Sequence, residues 1–209
     1  RVFSDRFTNY DDATKFRNML DERLTSSLNS SYTAVMSGLE NALLGPIYCN
    51  FMSEAVGDKP PPYEEATDLD KLKLLLEEKL EDYNMEANVL PMDLVIFRDA
   101  MRHVVRIQRI LSLPRGNAML VGVGGSGRQS LTRLASFVCD YQCISIEITR
   151  VYGTNEWHDD LKRVLVSAGA DGLDTVFLFS DNQIKHEAFV EDLNSILNSG
   201  HVPNLFEPD

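Results

Sequence analysis

The stretch GVGGSGRQS, residues 122–130, decides how this chain is read. Gly122 and Gly127 stand at G-x-x-x-x-G spacing, with Gly124 and Gly125 between them. The apolar run AMLV, 118–121, leads into the loop as a predicted strand, and Leu131, Leu134, Ala135 and Val138 follow it at helical spacing. Strand, glycine loop and helix form the context in which backbone N–H groups surround a phosphate and the helix N-terminus adds a favourable dipole. Glycine lets the backbone approach an anion with no Cβ in the way. The candidate nucleotide contacts are Gly122, Val123, Gly124, Gly125, Ser126, Gly127, Arg128, Gln129 and Ser130.

Two positions of this loop depart from the usual pattern. Arg128 stands where lysine delivers a compact charge to the β and γ phosphates, and arginine is planar and bulkier. Gln129 stands where a Ser or Thr hydroxyl contacts Mg²⁺. Ser130, one residue on, supplies a hydroxyl from a different angle on the helix. A third departure lies in VFLFSDNQI, 176–184. An active ATPase carries an Asp-Glu pair after such an apolar run, one for the metal and one to orient water. Here Ser180 and Asp181 occupy those places. Asp181 reads either as a metal contact or as a turn or capping residue. Ser130 and Asp181 are thus the candidate metal ligands, and no catalytic residue is assigned. Together the departures predict a site that holds nucleotide and cleaves it slowly or not at all.

Around the loop the pattern alternates. CISIEI, 143–148, alternates as a strand, and TVFLFS, 175–180, is an apolar run of buried-strand length. Helices are predicted over 131–138, 155–169 and 186–200, the last ended by Gly200. Such β-α alternation implies a parallel sheet with helical crossovers. Upstream, helices are expected over 11–29, capped by Asp11 or Asp12, and over 33–44. Another starts near a Thr67/Asp70 capping box with the stripe Leu69, Leu72, Leu76, Leu80 and Tyr83, and one more spans 93–112. GDKPPPYEEATD, 57–68, reads as an extended connector.

Composition excludes several classes. The 209 residues carry a net charge of −12, which disfavours a nucleic-acid surface. No apolar run reaches the length of a membrane span. Three cysteines, Cys49, Cys139 and Cys143, suit buried free thiols in a reducing compartment. A polar first residue run without an initiator Met leads us to expect an internal piece of a longer chain.

Residues 93–138, DLVIFRDAMRHVVRIQRILSLPRGNAMLVGVGGSGRQSLTRLASFV, resemble the start of the fourth AAA+ module of a dynein heavy chain. Residues 177–206, FLFSDNQIKHEAFVEDLNSILNSGHVPNLF, resemble a later part of it, in the axonemal rather than the cytoplasmic form. Residues 1–56 resemble the helical end of the third module. The resemblance implies an α/β P-loop NTPase fold of the AAA+ kind, its parallel sheet flanked by helices, incomplete, and preceded by a helical segment. It implies three parts: 1–56, the connector 57–68, and the large subdomain 69–209. The central strand of the sheet is expected to be missing. The resemblance further implies ATP or ADP as ligand, with Mg²⁺ a candidate companion, and Leu94 and Val95 packing on the adenine. It implies neighbouring AAA+ modules as partners, a microtubule reached through a stalk outside this chain, and the axoneme of a cilium or flagellum as location. Competing expectations are a structural spacer with a dead loop and an active P-loop ATPase of another class.

Overall fold

The computed structural model describes residues 7–32, 34, 46–53, 61–87 and 89–206. The expected helix over 33–44, apart from Ala34, and the first part of the connector lie outside the described residues. The chain divides into two compact units, Arg1–Tyr48 with Glu65–Thr67, and Cys49–Glu64 with Asp68–Asp209.

The first unit is built on helix α1, Tyr10–Leu28. Its N-cap is Asn9, whose side chain accepts from the Asp11 amide at 2.9 Å, so the aspartates expected as caps instead occupy the first turn. There their charge favours the helix dipole. Asn29 closes the other end in the left-handed conformation. No residue of α1 is fully buried, and Phe7 meets Phe16 at a centroid distance of 5.5 Å.

The second unit holds the rest. Helix α2, Leu69–Met85, buries Leu72, Leu76, Leu80 and Tyr83 of the stripe that its spacing predicts, while Leu69 is half-buried. Its cap is Asp68, accepting from the Lys71 amide at 2.9 Å, rather than Thr67. Helix α3, Arg98–Leu111, starts five residues later than its apolar spacing suggests, because residues 93–97 run extended. It buries Ala100, Met101, Val104, Val105, Ile107 and Gln108. Helix α4, Arg128–Val138, packs on both, with Phe137 edge-on to Tyr83 at 5.6 Å.

Strands β3, Gln142–Ser145, and β4, Thr175–Leu178, pair in parallel, Gln142 opposite Thr175 and Ser145 opposite Leu178. (The two-residue strands β1 and β2 are Tyr48–Cys49 and Glu64–Glu65.) Helix α5, Thr154–Gly169, connects β3 to β4, and helix α6, Glu187–Ser199, follows a 3₁₀ turn at Asp181–Gln183. Gly200 ends α6 at φ 79°. One core cluster joins Ile146, Tyr152, Trp157, Leu161, Phe189, Val202 and Leu205. Trp157 stacks on Phe189 at 4.5 Å, and its indole N–H donates to Asp192 at 2.8 Å. His158 meets the same carboxylate oxygen at 3.1 Å.

The run 118–121 is not a strand. It forms no ladder, and Met119 and Val121 are 90% and 77% exposed. A strand exists through its neighbours' N–H and C=O groups. The paired strands among the described residues are β1 with β2 and β3 with β4, and neither sheet includes this run. The parallel α/β architecture with flanking helices is present in partial form.

Candidate functional site

The glycine loop owes its shape to two left-handed residues. Gly125 lies at φ 76° and Gly127 at φ 74°, where any residue with a Cβ is strained. Gly127 is also the N-cap of α4, with no side chain to satisfy the helix end. The first helical bond runs from the Leu131 amide to the Gly127 carbonyl at 2.8 Å. The amides of Gly124, Gly125, Gly127, Arg128, Gln129 and Ser130 therefore have no acceptor among the described residues. Ser126 is the exception, its amide donating to the Val123 carbonyl at 3.3 Å. These six donors lie in one seven-residue span, largely open to solvent, at the positive end of a helix, where an anion is favoured.

Arg128 lies back over this loop. Its Nη2 donates to the Val123 carbonyl at 3.3 Å, and its Cδ comes within 3.6 Å of the place a Cβ on Gly122 would take. The guanidinium thus brings a full positive charge to the loop and also covers part of it. Leu94 touches the other end, 4.0 Å from a Cβ built on Gly127, whereas Val95 is 74% exposed.

A cleft of about 490 Å³ opens beside the loop. Gln129 and Arg133, one turn apart on α4, form one wall, and Ser145 to Ile148 with Leu178, Ser180, Asn182, Gln183 and Lys185 line the rest. Gln129 and Ser180, two of the three departures, are therefore brought to one cavity. Ser130 and Asp181 are not among the residues lining it. Asp181 is exposed and opens the 3₁₀ turn, its carbonyl accepting from the Ile184 amide at 3.2 Å.

The cleft floor is held by Gln183, a residue that sequence reasoning passed over. Its Nε2 donates to the Ile146 carbonyl at 2.6 Å, and its Oε1 accepts from the Ser180 amide at 2.7 Å and the Ser180 hydroxyl at 3.0 Å. One side chain thereby ties the end of β3 to the end of β4. The single Ser180 hydroxyl proton is shared with Asn182 Oδ1, 2.5 Å away. Arg133 and Lys185 were missed as well. Neither makes an ion pair or hydrogen bond with a described residue. Only the i, i+4 spacing of Arg133 from Gln129 hinted at a shared face.

Magnesium takes hard oxygen donors in an octahedral shell, with one or two carboxylates from the protein. The cleft offers the Ser145 and Ser180 hydroxyls, the Gln129, Asn182 and Gln183 amides, a single carboxylate in the exposed Glu147, and two cations. Among the described residues no three His, Cys, Asp or Glu side chains gather to hold a metal. The residues lining this cleft do not fit a divalent cation.

A parallel strand pair flanked by helices, with a glycine loop at the N-terminus of α4, is a partial P-loop fold. Residues 92–209 match the family described as P-loop containing dynein motor region D4. Over its whole length the chain is 44% identical to dynein axonemal heavy chain 2 of Homo sapiens. It is 46% identical to the dynein-1-beta heavy chain of the flagellar inner arm I1 complex of Chlamydomonas reinhardtii, and 45% identical to dynein axonemal heavy chain 1 of Homo sapiens. The chain belongs to the dynein heavy chain family, with axonemal members as relatives. It spans 4–5% of the length of these three relatives. No helix among the described residues is long and apolar enough to cross a membrane.

Proposed function

We propose that this chain is a regulatory nucleotide-binding module of an axonemal dynein heavy chain, binding ATP or ADP at residues 122–130 with weak or no hydrolysis. The observation that carries the reading is the set of six amides over 124–130 with no acceptor among the described residues, in a loop that also holds the Arg128 cation. A polyphosphate satisfies both. Slow or absent hydrolysis follows from the cleft, where Ser180 and Asn182 stand and no carboxylate pair orients water. Leu94, against Gly127, is the side chain that we assign to the adenine side, with Val95 next to it.

In this reading residues 1–56 close the preceding module, 57–68 connect, and 69–209 begin the large subdomain of the fourth. The partners are neighbouring modules of the same chain, in a motor that reaches its microtubule elsewhere. The names of the relatives point to an axonemal location.

A second reading, a structural spacer module, is favoured by one contact, the Arg128 side chain lying over its own loop. Calorimetric titration of the 209-residue chain with ATP and ADP separates the two. Saturable heat that disappears in Arg128→Ala supports the nucleotide module. No heat with either nucleotide, from a chain shown by circular dichroism to be folded, supports the spacer.

A further inference from the structure

The mismatch between this cleft and a divalent cation has a constructive side. Gln129 and Ser180 are the two neutral residues at the places where a P-loop site recruits its metal, and both line the cleft. Arg133 and Lys185 line the same cleft without a carboxylate within ion-pair distance among the described residues. Glu147 is the one acidic residue on the lining, and it is exposed. The chain is acidic overall, at −12, so two cations on one small concavity, unpaired among the described residues, run against its composition. A phosphate oxygen carries the same negative charge that a magnesium ion would otherwise neutralise. Guanidinium and ammonium groups neutralise it through charge-assisted hydrogen bonds instead.

We propose that Arg133 and Lys185 replace the divalent cation, so that this module binds the polyphosphate of a nucleotide without magnesium. The inference rests on the nucleotide reading above and adds the chemistry that balances the ligand's charge. Arg133 is fixed by α4, one turn beyond Gln129, and Lys185 follows the turn that Gln183 fastens to β3. The terminal phosphate meets these cations, so a triphosphate gains more from them than a diphosphate. Ser180 and Asn182 supply hydroxyl and amide groups beside them.

The test is titration of the 209-residue chain with ATP and with ADP, once in excess magnesium and once in EDTA. The expected result is an ATP affinity that changes less than about twofold on removing the metal. Arg133→Gln and Lys185→Gln each weaken ATP by about tenfold in EDTA, the value of one charge-assisted bond, and weaken ADP less. Lys185→Arg keeps the charge and keeps the affinity. ATP binding seen only with magnesium overturns the inference and leaves the nucleotide reading standing. Metal-free binding that ignores both charge-removing variants overturns it too. No binding under either condition overturns both. The comparison of magnesium with EDTA needs no variant, so a misfolded mutant cannot obscure it.

Discussion

Gly127 and Gly124 lie three residues apart in one loop, yet they respond to an added methyl in opposite ways. Gly127 sits at φ 74°, where an L-residue is strained by about 1–2 kcal/mol, while a Cβ on Gly124 meets nothing within 4 Å. Gly127→Ala is therefore expected to lower unfolding free energy by that amount in urea, and Gly124→Ala to stay within about 0.5 kcal/mol. Equal losses at both would show that the loop backbone differs from the one described. The thiols give a second residue-scale prediction. Burial raises Cys49 from 9.0 to about 11, and burial also raises Cys139 and Cys143. A group whose folded pKa is raised lends stability that is complete below its unfolded value and is lost as pH climbs. For Cys49 that window runs from pH 9.0 to about 11. Cys49→Ala should remove part of the stability loss across that window, measured by denaturant melts at each pH. At pH 8 iodoacetamide should label the folded chain much more slowly than the unfolded one.

At the scale of elements, Trp157 joins α5 to α6 through Phe189 and Asp192. Trp157→Ala should cost about 3–5 kcal/mol in chemical denaturation, and Trp157→Phe, which keeps the stack and loses the indole bond, about 1–2 kcal/mol. If the phenylalanine variant lost as much as the alanine variant, the indole–Asp192 bond would outweigh the ring packing. The helices were legible because an apolar stripe every three or four residues states its own buried face, as Leu72, Leu76, Leu80 and Tyr83 do on α2. Caps were harder to place. Asn9 stands just before Asp11 and Asp12, and Asp68 just after Thr67, residues of similar capping chemistry, and only the bonded oxygen distinguishes them. The run 118–121 looked like a strand by composition, but strand formation depends on partners that composition does not contain. The glycine loop was legible from its spacing together with the helix that follows it, and that helix is present as α4. Arg133, Gln183 and Lys185 were not, because their meeting depends on how β3, β4 and α4 converge.

For the molecule as a whole, Met119, Val121 and Val123 alternate along an unladdered run, each more than three-quarters exposed. Such a run invites pairing with another chain. Val121→Lys should reduce self-association of the 209-residue chain in sedimentation velocity. An unchanged distribution would mean that this run is covered in solution. The same run leads directly into the loop on which the functional account depends. The central claim is that six main-chain amides, unclaimed by the protein, receive the phosphates of a nucleotide. The most direct measurement is a ¹⁵N–¹H correlation spectrum of the labelled chain during ATP titration. The account predicts saturable shifts of the Gly124, Gly125, Gly127, Arg128, Gln129 and Ser130 amides, with the resonances of α1 unmoved. Saturating ATP that leaves those six resonances in place would contradict it.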